Sequence, residues 1–311
     1  MKIVKLWSSN LKNGIYGGLF PVIDPFDNDC FYVADGWGSS YPSMKLRKFA
    51  LSSGKEIQSV YIRNNVRCLN FEVNGTDLFA VTNDKIILLD RNSLGVVAKF
   101  EKGIQRYNDY ITSNNSDTLL MMNHRMEFLF VFNHKTKVGR KKKIGSCCGI
   151  FRESESEYYV FNGRDGKILI YDIVKNSVSE LMHTDIFHSV QLCGNNVALL
   201  RLGYLEYDAG NAWQIRPTSK FRIIDMTAGR ARGDFDTGVD FHSFRLDNES
   251  LYLWKQNDIW LYSMDHKSRI IKVSTDRNEY IMGIFPKEGK VLTESDTKSD
   301  NKVLYCYDLK M

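Results

Sequence analysis

The 311-residue sequence contains few of the residues that interrupt strands, with only five prolines. Its apolar runs are far shorter than the ~20 residues that a membrane-spanning helix needs. The first residues include Lys5 and Ser8 where a secretory signal would have a longer apolar core. The sequence therefore predicts a soluble, cytoplasmic protein that makes no membrane contact.

Recognisable catalytic and metal-binding motifs are also missing. The sequence has no HExxH, Walker, GxSxG or GxGxxG motif, and no CxxC spacing. Adjacent Cys147 and Cys148 would point to opposite faces of a strand and could not easily share a metal. We therefore predict no catalytic residue, no metal and no cofactor, and six unpaired thiols, which are Cys30, Cys68, Cys147, Cys148, Cys193 and Cys306.

What the sequence does contain is a repeat. Residues 85–103, KIILLDRNSLGVVAKFEKG, indicate two strands joined by a tight turn. Similar strand ends recur at steps of 40, 43, 39, 53, 38 and 45 residues. A unit of about 40 residues with four strands is typical of a propeller blade. The recurring positions are Ala50, Asp90, Asn133, Asp172, Asp225, Ser263 and Asp308.

These units predict an all-β fold, a seven-bladed β-propeller of four-stranded antiparallel blades in one domain, 1–311. The sequence ends on what should be a third strand, residues 303–309. We expect residues 2–7 to supply the outer strand of this last blade and so close the ring, which removes exposed sheet edges.

The hairpins IILLDRNSLGVVAKFEKG and ILIYDIVKNSV resemble those of the quinoprotein-like and YVTN-type propellers, a superfamily that borders on WD40 proteins. Residues 30–35, CFYVAD, are similar to the second strand of a YVTN repeat. The likeness lies in the blade pattern alone, because the Gly-His and Trp-Asp pairs of WD40 repeats are missing and Asp172 follows a tyrosine. Quinone-dependent dehydrogenases are usually eight-bladed and exported, so their activity does not carry over.

Two long connections interrupt the regular blades, and both lie between a second and a third strand. One includes Trp37 and Tyr41, and the other spans residues 203–217. Connections of this kind emerge on one face of a propeller, and long loops are often functional. Because aromatic residues and arginine dominate interface energetics, we predict a binding surface made of Trp37, Tyr41, Tyr204, Glu206, Tyr207, Asp208, Trp213 and Arg216.

The outer hairpin of the third blade, residues 134–143, carries six basic residues and no acid. Such a patch could bind phosphates or an acidic partner, although a solvated turn with self-repelling lysines is the simpler explanation. We expect it on the face opposite the long connections. Its basic residues are Lys135, Lys137, Arg140, Lys141, Lys142 and Lys143.

Three functions follow from these features. The first is a non-catalytic scaffold that binds a protein or peptide through the long connections, as a member of a larger complex. The second is a hydrolase or lyase for a small glycan or peptide, with Glu206 and Asp208 as an acid/base pair. The third is a binder of nucleic acid or an acidic partner through residues 134–143. The absent motifs favour the first.

Overall fold

The computed structural model describes residues 2–12, 14–15, 21–36, 43–63, 66–72, 75–82, 84–101, 110–114, 117–123, 128–193, 196–208, 212–248, 250–264, 270–295 and 302–310. These residues form strands and no helix. Along the chain the strands are β1 (Lys2–Leu11), β2 (Val22–Asp24), β3 (Asp27–Asp35), β4 (Ser43–Ala50), β5 (Glu56–Arg63), β6 (Val66–Phe71), β7 (Asp77–Thr82), β8 (Lys85–Asp90), β9 (Val96–Glu101), β10 (Tyr110–Asn114), β11 (Thr118–Asn123), β12 (Phe128–Asn133), β13 (Val138–Lys143), β14 (Gly149–Arg152), β15 (Glu157–Asn162), β16 (Lys167–Asp172), β17 (Ser177–His183), β18 (Phe187–Cys193), β19 (Val197–Asp208), β20 (Ala212–Asp225), β21 (Arg230–Asp236), β22 (Ser243–Asp247), β23 (Ser250–Lys255), β24 (Asp258–Ser263), β25 (Ile270–Ser274), β26 (Glu279–Phe285), β27 (Lys290–Ser295) and β28 (Lys302–Lys310).

The described strands form seven four-stranded sheets, and every pairing is antiparallel. Six sheets follow chain order, from β2–β5 to β22–β25. The seventh has the order β1-β28-β27-β26, so the N-terminal strand completes the last blade. The predictions of seven four-stranded blades and of closure by the N-terminal strand are confirmed.

The chain divides into two compact units. The first unit is Met1–Asn108 with His242–Met311 and holds four blades. Its cores lie between neighbouring blades, where Tyr32 and Leu46 of the first blade pack with Leu78 of the second. The prediction of a single domain over residues 1–311 stays a prediction.

A buried charged network also joins the first two blades. Asp24 is fully buried, and its carboxylate accepts hydrogen bonds from Arg91 Nη1 (2.9 Å) and Tyr32 Oη (3.0 Å). Lys48 Nζ lies 3.8 Å from the same carboxylate. This network pairs a buried carboxylate with two cations, as burial of charge requires.

The second unit is Asp109–Phe241 and holds the other three blades, β10–β13, β14–β17 and β18–β21. Apolar side chains fill the spaces between these sheets as well. Val131 packs with Tyr158 between the first two, and Phe161 packs with Phe187 between the last two. The strands β12, β15 and β16 are buried along most of their length. Successive side chains point to opposite faces of a sheet, so both faces of these strands are covered.

Candidate binding surface

The second unit carries a β-ribbon, defined here as residues 203–208 of β19 with residues 212–217 of β20. Pairing continues past the blade from Gly203↔Pro217 to Asp208↔Ala212. The insertion therefore lies where the sequence predicts it, but the structure extends two strands in place of an irregular loop. The physical reason is the alternation of polar and apolar residues along both segments, which is the strand period.

The ribbon begins at an irregularity in the blade. The register shifts between Arg201 and Gly203, so that Thr218–Lys220 oppose one residue of β19. Arg201 Nε donates to Thr218 O at 2.8 Å and fixes this bulge. Arg201 is 3% exposed, and its guanidinium lies 3.7 Å from the ring centroid of Phe241. Burial lowers the pKa of Arg201 to about 10.

One face of the ribbon is apolar. Leu205 and Tyr207 of β19 lie opposite Ile215 and Trp213 of β20, so these four side chains share a face. The rings of Tyr207 and Trp213 meet edge-to-face with centroids 5.2 Å apart. Tyr207 is nevertheless 56% exposed and Trp213 54% exposed. The ribbon thus presents two preorganised aromatic rings to solvent.

The other face of the ribbon is polar. Arg216 donates to the carboxylate of Glu206, and this pairing raises the pKa of Arg216. Gln214 Nε2 donates to Asp208 Oδ2 at 2.8 Å. Both carboxylates proposed as an acid/base pair therefore already have partners within the ribbon. Tyr204, 52% exposed, shares this face.

The main-chain hydrogen bonds of the ribbon show which groups face its outer edge. Gly203 N–H donates to Ile186 O at 3.0 Å, on the side of β19 away from β20. Main-chain groups two residues apart point to the same side of a strand, so those of Leu205 and Tyr207 also face away from β20. Pro217, opposite Gly203, has no N–H to offer at the other edge.

The basic hairpin occupies the outermost strand of its blade. Asn133 Oδ1 accepts from Thr136 N at 2.8 Å and shapes the turn, in which Lys137 has a left-handed φ of 60°. Lys135 Nζ pairs with Asp117 at 2.5 Å. The basic turn joins the third and fourth strands of its blade, whereas the ribbon joins the second and third strands of another blade. These two kinds of connection lie at opposite ends of the third strand.

The remaining four basic residues lie on β13. Lys142 Nζ donates to Asn176 O at 2.8 Å, and Arg140 donates to Ile173 O, both in the turn that follows β16 in the next blade. Lys141 and Lys143 occupy the alternate face of β13. The six basic residues thus divide between a turn and two faces of one strand.

The other predicted binding residues, Trp37 and Tyr41, lie outside the described residues. Sequence reasoning did not identify Arg201, the anchor of the ribbon, because a lone arginine in an apolar strand gives no pattern. The two-faced ribbon had a signal, namely the alternation in YLEYD and WQIR. Within the described ranges, no three His, Cys, Asp or Glu side chains cluster as a metal site would require.

The described part of the chain also has no helix of the length and apolarity needed to cross a membrane. No protein-family model matches the sequence, and no curated protein matches it.

Solved structures do match the chain. The WD40 domain of Neurospora crassa Pan2 is similar over 99% of this chain and 96% of its own, with a TM-score of 0.68 and 10% identity. The C-terminal WD40 domain of Sif2 is similar over 97% of each chain, with a TM-score of 0.66 and 11% identity. These likenesses show the fold, which is a WD40-like, seven-bladed β-propeller.

Proposed function

We propose that this propeller is a non-catalytic scaffold that binds a protein or peptide through the ribbon of its fifth blade. The observation that carries the proposal is the exposed aromatic pair of Tyr207 and Trp213, held at a fixed geometry on a strand extension. Large rings that need little further ordering are the anchors on which interfaces depend. The WD40-like fold is compatible with this role, although fold alone does not assign function.

The mode of binding that fits this geometry is strand addition. An extended partner segment would hydrogen-bond the outward main-chain groups of Leu205, while its apolar side chains cover the aromatic pair. Trp37 and Tyr41 belong to the proposed surface through the sequence prediction alone.

The proposal places the chain in the cytoplasm as a member of a larger complex. Its six cysteines form no disulfide, and burial raises the pKa of the Cys147 thiol to about 12. Cysteines that form no disulfide suit a reducing compartment.

The first test compares partner capture by the wild type and by a Tyr207→Ser/Trp213→Ser variant. Tyr61→Ser is the matched control, since Tyr61 is 73% exposed on β5 and lies outside the ribbon. We expect the control to retain a specific partner that the ribbon variant loses. Once that partner is purified, the ribbon variant should weaken Kd about thirtyfold, as loss of an interface anchor of about 2 kcal/mol implies.

Hydrogen exchange tests the mode of binding. In the free protein, the amides of Tyr204 and Glu206 face β20 and should already exchange slowly. Binding should newly protect Leu205, whose amide faces outward. A partner that binds the ribbon variant as well as it binds the wild type would refute the proposal, whatever the exchange pattern.

A further inference from the structure

The structure points to a second interaction surface, independent of the ribbon, that binds an acidic peptide segment carrying apolar side chains. We call it the Val138 patch and define it as Val138, Arg140 and Lys142 of β13 with Val174 of the turn after β16. All four residues lie in the second unit.

The cations of the Val138 patch are held in fixed positions. Arg140 donates to Ile173 O, and Lys142 Nζ donates to Asn176 O at 2.8 Å. Both acceptors are neutral carbonyl oxygens, so these bonds orient the two side chains without cancelling their charge. The residues are two apart on a strand, which places them roughly 7 Å apart on one face. That separation lies within the screening length of about 8 Å at physiological salt.

Two exposed valines border the cations. Val138 is 63% exposed and shares its face of β13 with Arg140 and Lys142. Val174 is 78% exposed and follows Ile173 directly, the residue whose carbonyl oxygen binds Arg140. Apolar and cationic groups therefore alternate across the contact between two neighbouring blades.

The turn that carries Val174 contains one carboxylate. Asp172 is 8% exposed and accepts the N–H groups of Val174 and Lys175 at 2.9 Å each. Lys175 Nζ also pairs with it at 3.1 Å. This acid is therefore engaged within its own turn, and the surface charge of the Val138 patch is positive.

The charge and the exposed apolar side chains of the Val138 patch together select its occupant. A positive surface favours carboxylates, and the valines favour aliphatic side chains placed between those carboxylates. Single-stranded nucleic acid would instead require aromatic platforms for its bases. Phe128 is 43% exposed, but it lies opposite Lys143 on the other face of the strand pair.

A purely structural explanation is that lysines on an outermost strand prevent edge-to-edge association. That role concerns the charge of β13 as a whole and does not distinguish its two faces. Binding by the Val138 patch does distinguish them, and the experiment uses this difference.

The experiment is fluorescence anisotropy with a short labelled peptide of glutamate and leucine, beside a glutamate-only peptide and a single-stranded oligonucleotide. The test variant is Arg140→Gln/Lys142→Gln, and the matched control is Lys141→Gln/Lys143→Gln, which removes the same charge from the opposite face. We expect the glutamate–leucine peptide to bind the wild type, and we expect its Kd to be about tenfold weaker for the test variant. The control should change its Kd by less than about twofold.

Val174→Ser provides a second variant that leaves the charges and the interblade hydrogen bonds in place. This variant should weaken the binding of the glutamate–leucine peptide and leave the binding of the glutamate-only peptide unchanged. No binding of the glutamate–leucine peptide would overturn the inference and leave edge protection as the role of the lysines. Equal loss in both double variants, or tighter binding of the oligonucleotide, would also overturn it.

Discussion

Asp24 offers the sharpest test of how the first two blades are held together. Its fully buried carboxylate accepts two bonds from Arg91 Nη1, at 3.0 and 2.9 Å, and one from Tyr32 Oη at 3.0 Å. The N–H of Phe26 donates to it as well, at 2.9 Å. Lys48 Nζ, 3.8 Å away, is the second cation of this network.

Replacing Asp24 with alanine would leave Arg91 and Lys48 without their shared carboxylate. Their side chains are only 16% and 6% exposed. Removing one partner of a buried ion pair costs about 3–5 kcal/mol, because the remaining charge is uncompensated. This is a large part of the ~5–15 kcal/mol by which a folded protein is stable.

Urea unfolding followed by circular dichroism measures this loss as a shift of the midpoint at constant slope. Adding Arg91→Met to an Asp24→Leu variant removes a stranded cation and should recover part of the stability. A loss below about 1 kcal/mol in Asp24→Ala, or no recovery in the double variant, would show that this network does not hold the blades together.

Two further predictions concern a buried acid and the base of the ribbon. Glu294 is 3% exposed, and burial, with Asp35 nearby, raises its pKa, so its ionised form is disfavoured in the folded state. At pH values above this raised pKa, Glu294→Gln should therefore raise Tm. At pH values below the ordinary pKa of 4.5, the gain in Tm should vanish. A Cβ added at Gly203 would lie 2.6 Å from Ile215 Cγ2, so Gly203→Ala should destabilise the ribbon by about 1–3 kcal/mol and reduce the near-ultraviolet dichroism of its aromatic pair.

Gly203→Ala has a control variant, and Glu294→Gln has an outcome that would contradict the prediction. Gly233→Ala lies on β21 of the same blade, where an added Cβ meets nothing within 4 Å; an equal loss there would contradict the clash at Gly203. For Glu294→Gln, a lower Tm at neutral pH would show that the bond from Ile15 N–H, at 2.7 Å, depends on the full charge of its acceptor.

The blades could be predicted from sequence because their pattern is local. The apolar run ending at Asp90 and the turn after it recur throughout the chain, and each copy is a hairpin with its own turn residues. The pairing of Asp24 with Arg91 could not be predicted, since 67 residues separate them and no periodicity relates them. Such contacts depend on how two blades pack, which a strand pattern does not encode.

The sequence predicts the ribbon only as a long connection, because residues 203–217 exceed what a regular blade needs between its second and third strands. Pro217 suggests an irregular segment, yet its nitrogen faces the outer edge, where no strand-pairing donor is needed. Gly203 suggests a turn, yet it is required because Ile215 occupies the space of a Cβ. Proline and glycine are therefore compatible with paired strands at some register positions, so they predict a loop only when that position is known.

The two proposed surfaces lie where the chain departs from its own repeat. A blade needs buried apolar residues, and neither the exposed pair of Tyr207 and Trp213 nor the cations at Arg140 and Lys142 contribute to that core. Residues whose type the fold itself does not require are expected at functional sites. The ribbon extends a connection between second and third strands, whereas the Val138 patch lies on a fourth strand and its neighbouring turn. Binding at one surface should therefore leave the other available, so that a single chain can hold two partners at once.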